Sequence, residues 1–102
     1  MNFEIAPKST EIEANWYDAK LYCFSLNIDG KTGWRLPTLD ELNNIRRSRN
    51  DFELWYYWSS TERDGNYAWA QHFRYGYQGN DGKNYGNKED GNCSVRAIRD
   101  LP

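Results

Sequence analysis

The segment Trp34-Arg35-Leu36-Pro37-Thr38-Leu39-Asp40-Glu41-Leu42 changes conformation partway along. Pro37 keeps Leu36 out of helical space, so Gly33 to Pro37 is expected to be extended. Thr38 and Glu41 then have capping-box spacing. The Thr38 hydroxyl can accept from the Glu41 N–H while the Glu41 carboxylate reaches back to the Thr38 N–H. Leu39, Leu42 and Ile45 recur on one face, which predicts an amphipathic helix running to about Arg49. Arg46, Arg47 and Arg49 complement its negative end and are otherwise read as solvated.

Upstream, Trp16, Ala19, Tyr22, Cys23 and Leu26 form a second helical stripe. Asn15 is placed to cap it, Asp18 favours its first turn, and Asp29-Gly30 is expected to stop it. Before it, Phe3 and Ile5 alternate with polar neighbours as a short strand ended by Pro7, and residues 8–14 read as a connector. Downstream the texture changes to strands. Leu54-Trp55-Tyr56-Tyr57-Trp58-Ser59-Ser60-Thr61 reads as a strand from its aromatic and β-branched content, and Asp64-Gly65-Asn66 signals a turn. Residues 67–75 form the next strand, with Tyr67, Trp69, Gln71 and Phe73 on one face and Ala68, Ala70, His72 and Arg74 on the other. If Trp69 and Phe73 face the core, His72 and Arg74 point outward. Residues 76–92 read as a long irregular loop, and 94–99 as one closing strand. The expected fold class is α+β, in one domain spanning residues 1–102.

Composition sets the limits. Among 102 residues, 5 Trp, 8 Tyr and 4 Phe must supply much of a modest core, and rings with a polar tip suit recognition surfaces equally well. A net charge of −2 argues against nucleic acid, because counterion release needs clustered Lys and Arg. No apolar run is long enough to insert in a membrane, and Met1 to Pro7 lacks the pattern of a secretory signal, so a cytoplasmic location is expected. A phage particle or cell surface is the alternative if the chain joins a larger assembly. Cys23 and Cys93 show no zinc-ligand spacing and are read as buried thiols or a pair. Asp81 and Asp90 do not follow the calcium-loop spacing. No metal or other cofactor is expected.

Several motifs occur in order: Trp34 to Thr38 with Glu41-Leu42, Tyr57-Trp58-Ser59-Ser60-Thr61-Glu62, Ala68-Trp69 with Phe73 and Gly76, and Val95-Arg96-Ala97-Ile98-Arg99. With the helix bearing Trp16, Ala19 and Tyr22-Cys23, they resemble the DUF1566 family, that of the C-terminal domain of the Legionella collagen-like adhesin. The resemblance covers roughly residues 15–99. It implies a C-type-lectin-like fold, with two helices packed on short antiparallel sheets, the chain ends brought together, and a long irregular loop before the last strand. It places the first helix beside the last strand, so a Cys23–Cys93 bridge is implied to be feasible. It also implies a surface-binding role toward a protein or glycan, exercised by the region before the last strand. The sugar-binding strings of calcium-dependent lectins do not occur.

The architecture explains most of these motifs. Trp34, Leu36 and Trp58 read as core, Arg35 as a buried ion-pair partner, and the hydroxyls of 59–61 as partners for buried backbone groups. A nucleophilic serine would need an adjacent base, and nothing in the sequence places His72, the one histidine, beside Ser59 or Ser60. No enzyme is expected. Region 63–92 has the Tyr, Asn and Gly composition of adaptable binding loops. Its candidate contacts are Tyr67, His72, Arg74, Tyr75, Tyr77, Asn80, Asp81 and Tyr85. The expected function is a non-catalytic binding module. The alternative is a small intracellular effector, phage-encoded, that binds and inhibits a host protein.

Overall fold

Local signals place both helices. A computed structural model describes residues 2–83 and 93–102. Helix α1 spans Trp16–Ser25, and the Asn15 side chain accepts from the Asp18 N–H at its start. Helix α2 spans Leu39–Ser48 and opens on the complete Thr38/Glu41 capping box. Thr38→Ala removes one side of that box and is expected to cost about 1 kcal/mol, read as a shift in the urea midpoint at constant slope. The expected stop of α1 is displaced. The helix ends at Ser25 because Leu26 turns extended. Asp29 and Gly30, with φ of 53° and 84°, instead close a tight turn bridging Ile28 to Lys31.

The remaining elements are β1 (Phe3–Ile5), a short 3-10 turn (Lys8–Thr10), β2 (Ile12–Glu13), β3 (Trp34–Arg35), β4 (Tyr56–Glu62), β5 (Tyr67–His72), β6 (Gln78–Gly82), β7 (Ser94–Val95) and β8 (Ile98–Asp100). The architecture is α+β with two sheets, ordered β1-β8-β3 and β2-β7-β4-β5-β6. The sheets are not purely antiparallel, because β4 meets β7 in parallel at Tyr57 and Ser94. The connector over 8–14 contributes a strand. The expected closing strand over 94–99 is two strands, broken at Arg96-Ala97 where the chain passes from one sheet to the other. The N-terminal segment makes the same passage alongside it, β1 on β8 and β2 on β7. Ala6 donates to Ala97 O at the crossing. The first part of the expected 76–92 loop is also a strand, since β6 pairs with β5 over its full length. The rest of that loop, with Tyr85 and Asp90, lies outside the described residues.

The core has two compartments, separated by β4. Trp58 joins Trp16, Ala19, Cys23, Trp34 and Leu36 on the α1 side. Tyr57 joins Leu42, Ile45, Phe52, Phe73 and Ile98 on the α2 side. Tyr57, Trp58 and Ser59 are all fully buried, so the middle of β4 has no solvent face and its sequence there cannot alternate apolar with polar. On β5 both faces are covered toward its end: Gln71 and Phe73 are buried on the expected core face, and the opposite face is buried as well. Ala68 and Ala70 face the α1 compartment and are fully buried, whereas Tyr67 is exposed and Trp69 only partly covered. Small alanines face inward because Trp58 and Trp34 fill that compartment.

Arg96 closes the sheet crossing. Its guanidinium is almost wholly buried and donates to Ala6 O at 2.7 Å, Glu11 at 3.0 Å, and both the backbone and the carboxylate of Asp51 at 3.0 and 2.7 Å. It also lies over the Phe52 ring. Arg35 makes the expected ion pairs, bidentate to both Glu41 and Asp100, but it is partly exposed rather than buried, because Asp100 lies at the surface.

Candidate functional site

Strand β5 ends at His72, and the chain turns through residues 73–77 into β6. Bonds to His72 determine the shape of this turn. Its N–H donates to Tyr77 O at 2.7 Å, and its carbonyl accepts from the Gly76 N–H at 2.9 Å. Its ring Nδ1 accepts from the N–H groups of both Arg74 and Tyr75, each at 3.2 Å. With Nδ1 an acceptor, the ring proton sits on Nε2 and the imidazole is neutral. Helix α2 holds the same turn from below, as Arg46 donates to Phe73 O and Arg74 O. Gly76 has a φ of 79°, and a side chain there would meet the Arg46 guanidinium at about 3 Å, so both conformation and space require glycine.

His72 is not outward-facing, as the sequence suggested, but is 5% exposed. Its pairing with Tyr56 puts it on the Trp58 side of the sheet, past the end of the α1 compartment. There it is covered by rings. Tyr75 stacks on it with centroids 5.2 Å apart, Tyr56 meets it edge-on at 4.7 Å, and Trp55 and Tyr77 pack at 5.4 and 5.9 Å. Tyr75 and Tyr77 touch each other at 5.6 Å, and the Arg74 guanidinium lies over Tyr75. Burial, then Arg46, then Arg74 push the His72 pKa below its ordinary value, so the ring stays neutral around pH 7.

The outer shell of this cluster faces solvent. Trp55 is 44% exposed, Tyr75 58%, Tyr77 60%, and the adjoining Leu54 60%. Trp55 also forms one wall of an open groove of about 510 Å³ lined by Lys8, Glu11, Ile12, Glu13 and Glu53. The aromatic platform and this groove therefore share one wall. Of the expected contacts, His72, Arg74, Tyr75 and Tyr77 come together here. Tyr67 does not, because it lies at the opposite end of β5, roughly 17 Å away at the usual rise per residue. It packs there against Arg63, which also donates to Asn80 Oδ1. The Asp81 side chain and Tyr85 lie outside the described residues.

Trp55 and Tyr56 belong to the cluster but were not among the expected contacts. The sequence signal was the aromatic density of 54–58, which reads equally well as core. Lys83, expected in the loop, is 4% exposed, pairs with Glu62 at 2.7 Å and lies over the Trp16 ring. A second apolar surface runs along α1, where Tyr17, Leu21 and Phe24 are 50%, 66% and 81% exposed. Phe24 borders a smaller pocket of about 220 Å³ with Trp34 and Leu36.

The reactive groups in the core are occupied or protonated. Ser59 Oγ donates to Trp69 O at 2.6 Å and accepts from the Thr61 N–H, while Thr61 Oγ1 accepts from the Leu39 N–H. Burial pushes the Cys23 thiol up to about 12. Burial and the Glu11 carboxylate raise the Tyr57 phenol well above its usual range. Cys23 and Cys93 both lie in the α1 compartment. Among the described residues, no group of three or more His, Cys, Asp or Glu is placed to hold a metal, and no helix is long and apolar enough to cross a membrane.

Comparison with known proteins gives one family. The model of the Lcl C-terminal domain, the C-terminal domain of the Legionella collagen-like protein, matches residues 4–99. No curated protein matches the chain.

Proposed function

The chain belongs to the Lcl C-terminal domain family, and on that premise we propose that it is a non-catalytic binding module whose recognition surface is the Trp55–Tyr75–Tyr77 platform. The carrying observation is that these large rings stand in solvent while the turn bearing Tyr75 and Tyr77 is pinned by His72 and Arg46 and the Trp55 carbonyl accepts from the Phe73 N–H of the same turn. Exposed aromatics held in one geometry lose little entropy on contact, and Trp, Tyr and Arg are the residues that concentrate binding energy. A contiguous apolar patch of this kind favours a partner that covers it. Leu54 and Arg74 at its rim favour a protein over a glycan, since a purely sugar-facing platform has no use for an exposed aliphatic side chain.

A C-type-lectin-like arrangement is part of the same proposal. It is supported by the pairing of β1 with β8, which brings the chain ends together, and by two helices packed against the sheets. The absence of catalysis is proposed because the hydroxyl of Ser59, the thiol of Cys23 and the phenol of Tyr57 are each committed as described above.

The test replaces Tyr75 and Tyr77 together with alanine. Affinity capture from a lysate and a glycan array first give a ligand for the unaltered protein. The double variant is expected to bind it at least ~30-fold more weakly, as hot-spot truncation implies, while its melting temperature stays within about 3 °C. Undiminished affinity would place the recognition surface elsewhere, with the exposed face of α1 the next to probe.

A further inference from the structure

We propose that His72 is a proton-operated latch for this platform: a proton added at Nδ1 releases the 73–77 turn and disperses the Tyr75–Tyr77 pair. The functional consequence, loss of the partner in acid, rests on the binding reading above. The latch itself does not. The geometry is specific. Nδ1 accepts two backbone N–H groups at once, from consecutive residues of the turn that carries the platform. A proton there converts the acceptor to a donor, so that one N–H points at two others and both backbone groups lose their partner. No other pair of bonds in the turn depends on a titrating atom. The bonds from the His72 N–H, from the Gly76 N–H and from Arg46 do not change with pH in this range.

The surroundings sharpen the response. The groups facing the ring are Arg46 from α2, Arg74 and Tyr75 from the turn, Tyr77 at its end, Tyr56 from β4, and Trp55 just before β4. The two charged ones are cationic. Both disfavour an imidazolium, which moves outward and carries the stacked Tyr75 with it. The sign follows from the depressed pKa. The folded turn prefers the neutral ring, so its stability is full above the ordinary histidine value of 6.5 and is lost as pH falls through the lower folded value.

The experiment uses the free full-length chain, so it needs no partner. Amide resonances of Arg74, Tyr75 and Gly76 are followed from pH 8 to 4.5 by NMR beside the His72 ring protons, and amide hydrogen exchange is measured across the same range. The expected result is one shared titration with a midpoint below 6.5, and exchange of the Arg74 and Tyr75 amides faster by about tenfold or more after correction for intrinsic pH dependence. His72→Asn places an amide oxygen where Nδ1 stood and is expected to hold the turn with no pH response. Amides that stay protected while the His72 ring titrates would overturn the latch. So would an unchanged transition in the His72→Asn protein, which would assign it to another group. If that variant does not fold, the wild-type titration alone decides. Failure of the tyrosine pair to matter for binding would leave these results standing, and failure here would leave the binding surface standing.

Discussion

Arg96→Ala is expected to remove about 3–5 kcal/mol of stability, because it strips a buried ion pair of one partner and leaves the other behind. For a chain of this length that is a fall in melting temperature of roughly 15 °C or more. Four acceptors converge on the guanidinium: Ala6 O, Glu11 Oε2, Asp51 O and Asp51 Oδ2. The Glu11 side chain is only 12% exposed and also accepts from the Tyr57 hydroxyl, so it cannot recover its hydration when Arg96 is gone. Arg96→Lys keeps the charge but offers its donors from a single nitrogen, which cannot span acceptors on three segments of chain. It is expected to recover only part of the loss. Thermal unfolding by circular dichroism measures both. An Arg96→Ala protein melting within a few degrees of the parent would mean that the sheet crossing is held by backbone pairing alone.

The same cluster predicts the acid limb. Arg49, and after it Arg96, hold the Asp51 carboxyl well below the usual carboxylate range. A depressed pKa contributes stability above the unfolded value, near ~3.9, and loses it as pH falls through the folded one. Asp51 therefore weakens the fold only in strong acid. The His72 latch begins to weaken below the ordinary histidine value of 6.5, before the Asp51 carboxylate responds.

Trp58→Ala is expected to cost about 3–5 kcal/mol for the cavity and lost transfer energy together. Trp58 is fully buried in the α1 compartment, and its Nε1–H donates to Ala14 O at 2.9 Å, just before the cap of α1. The residue therefore fills the compartment and fixes where α1 begins. Trp58→Phe separates the two roles. It keeps most of the ring but orphans the Ala14 carbonyl, for a cost of about 1–3 kcal/mol. Denaturant midpoints at unchanged slope measure the pair. Equal losses in the two variants would assign the whole effect to the hydrogen bond and none to packing.

How much of this was legible depends on distance along the chain. The stripes of Trp16, Ala19 and Cys23, and of Leu42 and Ile45, were readable because an amphipathic helix repeats its buried face within a few residues. On β5 the sequence located Phe73 in the core but not the burial of the opposite face, because Trp69 looks more like core than Ala68 or Ala70 does. Only the bulk of Trp58 and Trp34 across the compartment makes alanine the residue that fits. His72 looked like surface for a similar reason. Its cover comes from Trp55 and Tyr56 on one side and from Tyr75 and Tyr77 on the other, and only the β4–β5 register brings those pairs together.

By itself, the sequence determined both helix starts, the ion pairing of Arg35, the family and the aromatic and basic composition of 72–77. Caps and turns satisfy backbone groups three or four residues away, so their signals are local. Tertiary structure alone decided the split of the last strand, the burial of His72 and the junction at Arg96. Arg96 bonds to Ala6, ninety residues earlier, and to Asp51, forty-five residues earlier. An arginine in a strand carries no local mark of its partners. A buried guanidinium is tolerated only where separate segments bring acceptors to one point, and that point exists only once the chain has folded.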